Sequence, residues 1–250
     1  MKIIKIDFLT YYFLLIAFFC GFIKLAIIAF LIVFFHELGH ILFIKLFGYK
    51  INSVTIYPFG GITKVYKDIN TSINKELLIA FGGVLFQTLI YIIPLLGILS
   101  PNTNELIIKY NTSILLFNLI PIIPLDGSII FNLILNKFNS FKNSYFIEII
   151  ISFIFIIFFL SINYIYSLNN YFIVIFLIFK TFESIKNYKY IYNKFLLERF
   201  INNYSFKNIR TSKGNLNILK KETYQYFLED KKVVSEKVKL QERFDNNRYF

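Results

Sequence analysis

The stretch Phe35-His36-Glu37-Leu38-Gly39-His40 lies inside an apolar run that extends from Leu25 to Phe47. On a helix, residues four apart share a face, so the two imidazoles stand one turn from each other. Side chains so placed can bind one zinc ion, and the His-Glu-x-x-His pattern sets Glu37 beside them to take a proton from water that zinc activates. Both histidines of the chain are here. Three polar side chains in hydrocarbon are costly and mark a functional site. The plainer alternative is a pair of buried histidines satisfied without metal.

Outward from this motif, 56% of the 250 residues are hydrophobic, with Phe and Ile prominent. Several nearly uncharged runs are long enough to cross a bilayer, which excludes a soluble globular domain. The fold class this predicts is an all-α polytopic membrane protein of about six transmembrane helices. The expected spans are Phe8 to Phe22, Leu25 to Phe47, Leu77 to Leu99, Leu106 to Ile120, Tyr145 to Tyr164, and Tyr171 to Phe182 or as far as Tyr188. The first reads as a retained helix rather than a cleaved leader, since no small-residue cleavage site follows it. Between the second and third, alternation at Val54 and Ile56 followed by Pro58-Phe59-Gly60-Gly61 suggests a short membrane-associated β-hairpin or loop; a plain connecting turn reads equally well. Gly82-Gly83 either lets another helix approach closely or marks a loose helix start.

The formal charge is +12, and residues 180–250 hold 16 Lys/Arg against 8 Asp/Glu. Six helices put both termini on one side. That side then carries Lys2, Lys5, Lys50, Lys64, Lys67, Lys75, Lys137, Lys142 and the basic tail, whereas the opposite loops carry Lys24. The positive-inside rule makes the termini cytoplasmic in a multi-pass cell-membrane protein. Residues 1–188 form the membrane domain and 189–250 a helical or partly disordered basic tail, near anionic lipid. Nucleic acid is not an expected partner, because acids interleave with the bases. The lone Cys20 excludes an internal disulfide.

A catalytic zinc wants three protein ligands. His36 and His40 supply two. Asp7, Glu105, Asp126 and Glu148 are the acids within or bordering the other apolar spans. Glu148 is the main competitor. Asp126 is preferred because it follows Pro121-Ile122-Ile123-Pro124, a backbone broken by two prolines that can turn the carboxylate inward. Its alternative role is to cap a short helix over Ser128 to Leu135. Asn118 could hydrogen-bond an oxyanion or the substrate backbone, or make an interhelical bond. A metal transporter is the reading from another class, although it leaves Glu37 without a role.

The pairing of His36-Glu37-Leu38-Gly39-His40 with Asn118-Leu119-Ile120-Pro121-Ile122-Ile123-Pro124-Leu125-Asp126-Gly127 resembles the site-2 protease family of intramembrane zinc metalloproteases, peptidase family M50. The form of the second motif is most similar to the sporulation branch, the stage IV FB proteases of endospore formers. The resemblance implies one Zn2+ per chain held by His36, His40 and Asp126, with Glu37 as catalytic base. It implies substrate contacts from Asn118, Pro121 and Pro124, and from the membrane-associated loop at Phe59, Gly60 and Gly61. The implied substrate is a membrane-associated protein, a sigma-factor precursor on the mother-cell side during sporulation, with inhibitory membrane-protein partners; an anti-sigma factor or signal-peptide remnants are the alternative substrates. A homo-oligomer is left open. Two departures stand out. Gly82-Gly83-Val84-Leu85-Phe86-Gln87 lacks the family's proline and asparagine, and Asp126-Gly127-Ser128 lacks its second glycine; neither change is expected to touch a ligand. At about 60 residues the tail is too short for a complete CBS domain.

Overall fold

The apolar run around the histidines forms one helix, α2 (Ile23–Leu46), in the computed structural model, which describes residues 4–57, 60–161, 168–229 and 232–245. Its 24 residues rise about 36 Å, enough for a hydrocarbon core of about 30 Å. The helix stops at Gly48, whose φ of +74° is a left-handed conformation open to glycine. There the Tyr49 N–H donates to the Ile44 carbonyl at 3.1 Å and the Gly48 N–H to Lys45 at 2.9 Å, so the last carbonyls are satisfied.

The chain divides into two compact units, residues Met1–Lys67 with Leu77–Leu119, and Asp68–Glu76 with Ile120–Phe250. In the first unit a three-stranded sheet accompanies α2. Strand β1 (Ile4–Ile6) pairs parallel to β2 (Lys50–Tyr57), and β2 pairs antiparallel to β3 (Gly60–Tyr66), in the order β1-β2-β3. The hairpin expectation is met by Lys50–Tyr57 and Gly60–Tyr66, in which Val54 and Ile56 are buried. Strand β1 is an addition, laid where the sequence suggested the approach to a first span. Helix α1 (Phe8–Phe19) starts where expected and ends three residues before the expected Phe22. Its start is tied to the sheet by Thr10, whose hydroxyl donates to the Ile56 carbonyl at 3.0 Å.

The expected third span begins earlier and breaks. Helix α3 (Ile73–Leu89) is followed by the short α4 (Ile92–Leu95). Pro94 has no N–H to give to the Ile90 carbonyl, which instead accepts from Ile93 at 3.1 Å. Helix α5 (Pro101–Asn118) starts with Pro at its first helical position and ends ahead of Pro121.

In the second unit, α6 (Asp126–Phe138), α7 (Phe141–Ser161) and α8 (Leu168–Ile201) follow in order. At 34 residues α8 rises about 51 Å, far beyond one bilayer thickness, so residue 188 falls inside a continuous helix. The tail beyond it is neither purely helical nor featureless. Strands β4 (Asn208–Ser212) and β5 (Thr223–Glu229) pair parallel, and β6 (Lys232–Ser235) pairs antiparallel to β5, with α9 (Glu236–Asp245) after them. Phe195, Leu196, Leu219 and Phe227 are nearly inaccessible in its core, and Phe141 stacks on Phe195 at 4.2 Å between centroids. Arg199 and Glu236 form a buried ion pair there at 2.8 Å. The fold is therefore predominantly helical, with one sheet that extends the expected hairpin by β1 and a second, unexpected sheet in the tail. Among the described residues three helical segments, Ile23–Leu46, Ile73–Leu95 and Phe141–Ser161, are long and apolar enough to span a membrane.

Candidate active site

His36, Glu37 and His40 are all buried on α2, and one ligand atom from each lies within 4.8 Å of the others. The two Nε2 atoms are 3.1 Å apart. Each ring's other nitrogen meets an oxygen, His36 Nδ1 the side-chain carbonyl of Gln87 at 2.9 Å and His40 Nδ1 the backbone carbonyl of Ile79 at 2.8 Å. An imidazole that donates from Nδ1 keeps its Nε2 lone pair, which is the tautomer a metal needs. Two tetrahedral zinc–nitrogen bonds place their nitrogens about 3.3 Å apart. The donor set and its spacing fit zinc.

Helix α3 supplies the wall behind the imidazoles. A Cβ at Gly83 would lie 2.5 Å from His40 Nε2 and 2.6 Å from His36 Nε2, so the position must be glycine for the rings to stay. One turn of contact is shared by Gly39 and Gly82, where a Cβ on Gly39 would meet the Gly82 carbonyl oxygen at 2.1 Å. Of the two readings of Gly82-Gly83, close helix approach is the observed one. Gln87 is fully buried; its Nε2 donates to the Asn111 carbonyl on α5 at 3.0 Å, and the Asn111 amide returns a bond to the Gln87 carbonyl at 3.3 Å. The expectation that the Gln87 departure touches no ligand is thus corrected, since it bonds the ring of His36.

Strand β3 reaches Glu37 from the other side. The Gly61 N–H donates to Oε1 at 3.2 Å and the Thr63 hydroxyl to Oε2 at 3.3 Å. A Cβ at Gly61 would stand 2.3 Å from the Glu37 carboxyl carbon. The hairpin therefore orients the carboxylate of the predicted base. Thr63, Gln87, Gly83 and the Ile79 carbonyl were not singled out for these roles, and only the glycine pair carried a signal in the sequence.

The first unit thus brings together His36, Glu37, His40 and Gly61, with Gly60 opening the same strand. Phe59 lies outside the described residues. Asn118 is the last residue of α5. Pro121, Pro124 and Asp126 belong to the second unit. Asp126 is the first helical residue of α6, and Leu125 occupies the cap position. Glu148 is buried and accepts from the Asn132 amide at 2.6 Å.

Comparison with known proteins agrees with this geometry. The model of peptidase family M50 matches residues 24–103. Stage IV sporulation protein FB of Bacillus subtilis is 33% identical over 129 residues, which is 50% of this chain and 45% of that protein. A zinc metalloprotease of Methanocaldococcus jannaschii is 34% identical over 127 residues, 48% of this chain and 37% of that protein. The chain thus spans less than half the length of either relative. The solved site-2 protease from Methanocaldococcus jannaschii superposes with a TM-score of 0.56 at 25% identity, covering 74% of this chain and 92% of that one. The paired histidines, the matching family model over residues 24–103, these relatives and this shared fold make the chain similar to the site-2 protease family of metalloproteases, peptidase family M50.

Proposed function

We propose that this chain is an intramembrane zinc endopeptidase that cleaves a membrane-associated regulatory protein at the cytoplasmic edge of the bilayer. The observation that carries the reading is the convergence of two Nε2 atoms at 3.1 Å, with Glu37 beside them, inside an apolar helix of spanning length. His36 and His40 hold the metal and Asp126 is the third ligand. The chemistry that zinc supplies in such a site is Lewis acidity and a lowered pKa for water. Glu37 accepts the proton as the peptide carbonyl is attacked and returns it to the departing amine.

The substrate arrives extended. In the described sheet β3 pairs with β2 along one edge, which leaves its other edge for strand addition, and Gly61 and Thr63 of this strand touch Glu37. Phe59, Gly60 and Gly61 then line the substrate, with Asn118, Pro121 and Pro124 contacting its backbone. The distribution of lysines supports six spans with cytoplasmic termini. Similarity to a sporulation protein supports a membrane-tethered sigma-factor precursor as substrate, and inhibitory membrane partners as restraint. The purified chain should carry one zinc, and Asp126→Asn should carry far less while α2 and its hairpin stay folded. Full zinc occupancy in that variant would remove Asp126 from the ligand set; cleavage of a co-expressed precursor by it would contradict the mechanism.

A further inference from the structure

In the second unit a cavity of about 280 Å3 opens between the start of α7, the stretch 188–193 of α8, and Asn217 and Arg243 of the tail. Three cations line it, Lys142, Lys189 and Arg243, with the phenols of Tyr188 and Tyr192 and no carboxylate. Lys142 Nζ donates to the Asn217 side-chain oxygen at 3.0 Å and lies 5.5 Å from the centre of the Tyr192 ring. The Arg243 guanidinium is 6.0 Å from the same ring, and its Nη2 donates to the Asn193 side-chain oxygen at 2.8 Å. Amide oxygens occupy one donor each of Lys142 and Arg243 and neutralise neither charge. Like charges gathered without an acid repel one another, and a phosphate relieves that repulsion while accepting their remaining donors.

A second observation says what carries the phosphate. Lys142 stands in the first turn of a helix of spanning length. Four-residue steps from it lead to Phe146, Ile150, Ile154 and Phe158, which are 54%, 42%, 55% and 61% exposed. These positions share one helix face, so a cationic cavity heads an uncovered apolar stripe. Basic pockets beside membrane helices on the cytoplasmic side are where anionic headgroups bind.

We propose that this cavity binds the phosphate of an anionic phospholipid whose acyl chains lie along the α7 stripe. The lipid then bridges α7 and α8 to Asn217 and Arg243 of the tail, so the seating of the tail depends on membrane composition. The site is independent of the proteolytic reading and is tested without it.

Native mass spectrometry of the full chain in detergent, titrated with phosphatidylglycerol or phosphatidylcholine, reads the binding directly. One phosphatidylglycerol should be retained in preference to phosphatidylcholine. Lys142→Gln with Arg243→Gln should weaken it about thirtyfold, whereas Lys142→Arg and Lys213→Gln, an exposed lysine that does not line the cavity, should leave it unchanged. Equal retention of the two lipids, or undiminished retention in the double variant, would overturn the proposal. Saturation by inorganic phosphate with no preference for phosphatidylglycerol would also overturn it, by assigning the cavity to a soluble phosphate.

Discussion

At Gln87 one side-chain carbonyl decides which nitrogen of His36 faces the metal position. The bond to Nδ1 is 2.9 Å and fully buried, and the Asn111 carbonyl holds the amide end so that it cannot turn over. Replacing Gln87 with Leu removes the acceptor and leaves His36 free to change tautomer or rotate. Loss of such a supporting bond costs about 10–100-fold in metal affinity. Competition with a chelator should therefore show Gln87→Leu releasing zinc earlier than wild type, and Gln87→Glu, which keeps an acceptor, close to it. Equal zinc affinity in Gln87→Leu would deny the residue its positioning role. The histidines themselves were legible because the pattern is local, within five residues. Gln87 was not, because its partner is 51 positions away in sequence and the contact exists once α3 packs on α2.

Between elements, the closest fit is α2 against α3. The clash at Gly39 is with a backbone oxygen at 2.1 Å, which a rotamer change cannot relieve. Gly39→Ala must push the helices apart, and overpacking of this kind costs about 1–3 kcal/mol. A lower thermal midpoint in detergent, together with weaker zinc binding, is the expected outcome; an unchanged midpoint would contradict the packing described. The hairpin could be read from the alternation at Val54 and Ile56 and from the glycines after it. Strand β1 could not, since three residues give no period and their partner lies some 50 residues on. The break between α3 and α4 had its signal in Pro94, which a reading by hydropathy alone passed over. The tail's sheet escaped for a related reason. Its buried set includes Gln225, Glu236 and Lys239, whose burial depends on partners rather than on an apolar pattern.

For the molecule as a whole, the membrane part and the tail respond to different variables. Burial pushes the phenols of Tyr192 and Tyr204 up to about 12, from an ordinary value of 10.0. A folded pKa above the unfolded one favours the neutral phenol, so this stabilisation is full below pH 10 and is lost as pH rises through about 12. The Tyr204 hydroxyl donates to Asp68 at 2.8 Å, a bond that ionisation removes. The tyrosinate absorbance lost in Tyr192→Phe and Tyr204→Phe should be the part that appears late, together with loss of the sheet signal; if the absorbance lost in those variants is early-titrating, these burial assignments are contradicted. The membrane part should respond to chemistry at Glu37 instead, because both of its carboxylate oxygens are held by β3 without being part of the packing core. The most direct measurement pairs zinc content with cleavage of a co-expressed membrane-tethered precursor, in wild type and in Glu37→Gln. The account predicts equal zinc in both and cleavage by wild type alone; cleavage that persists in Glu37→Gln would contradict it.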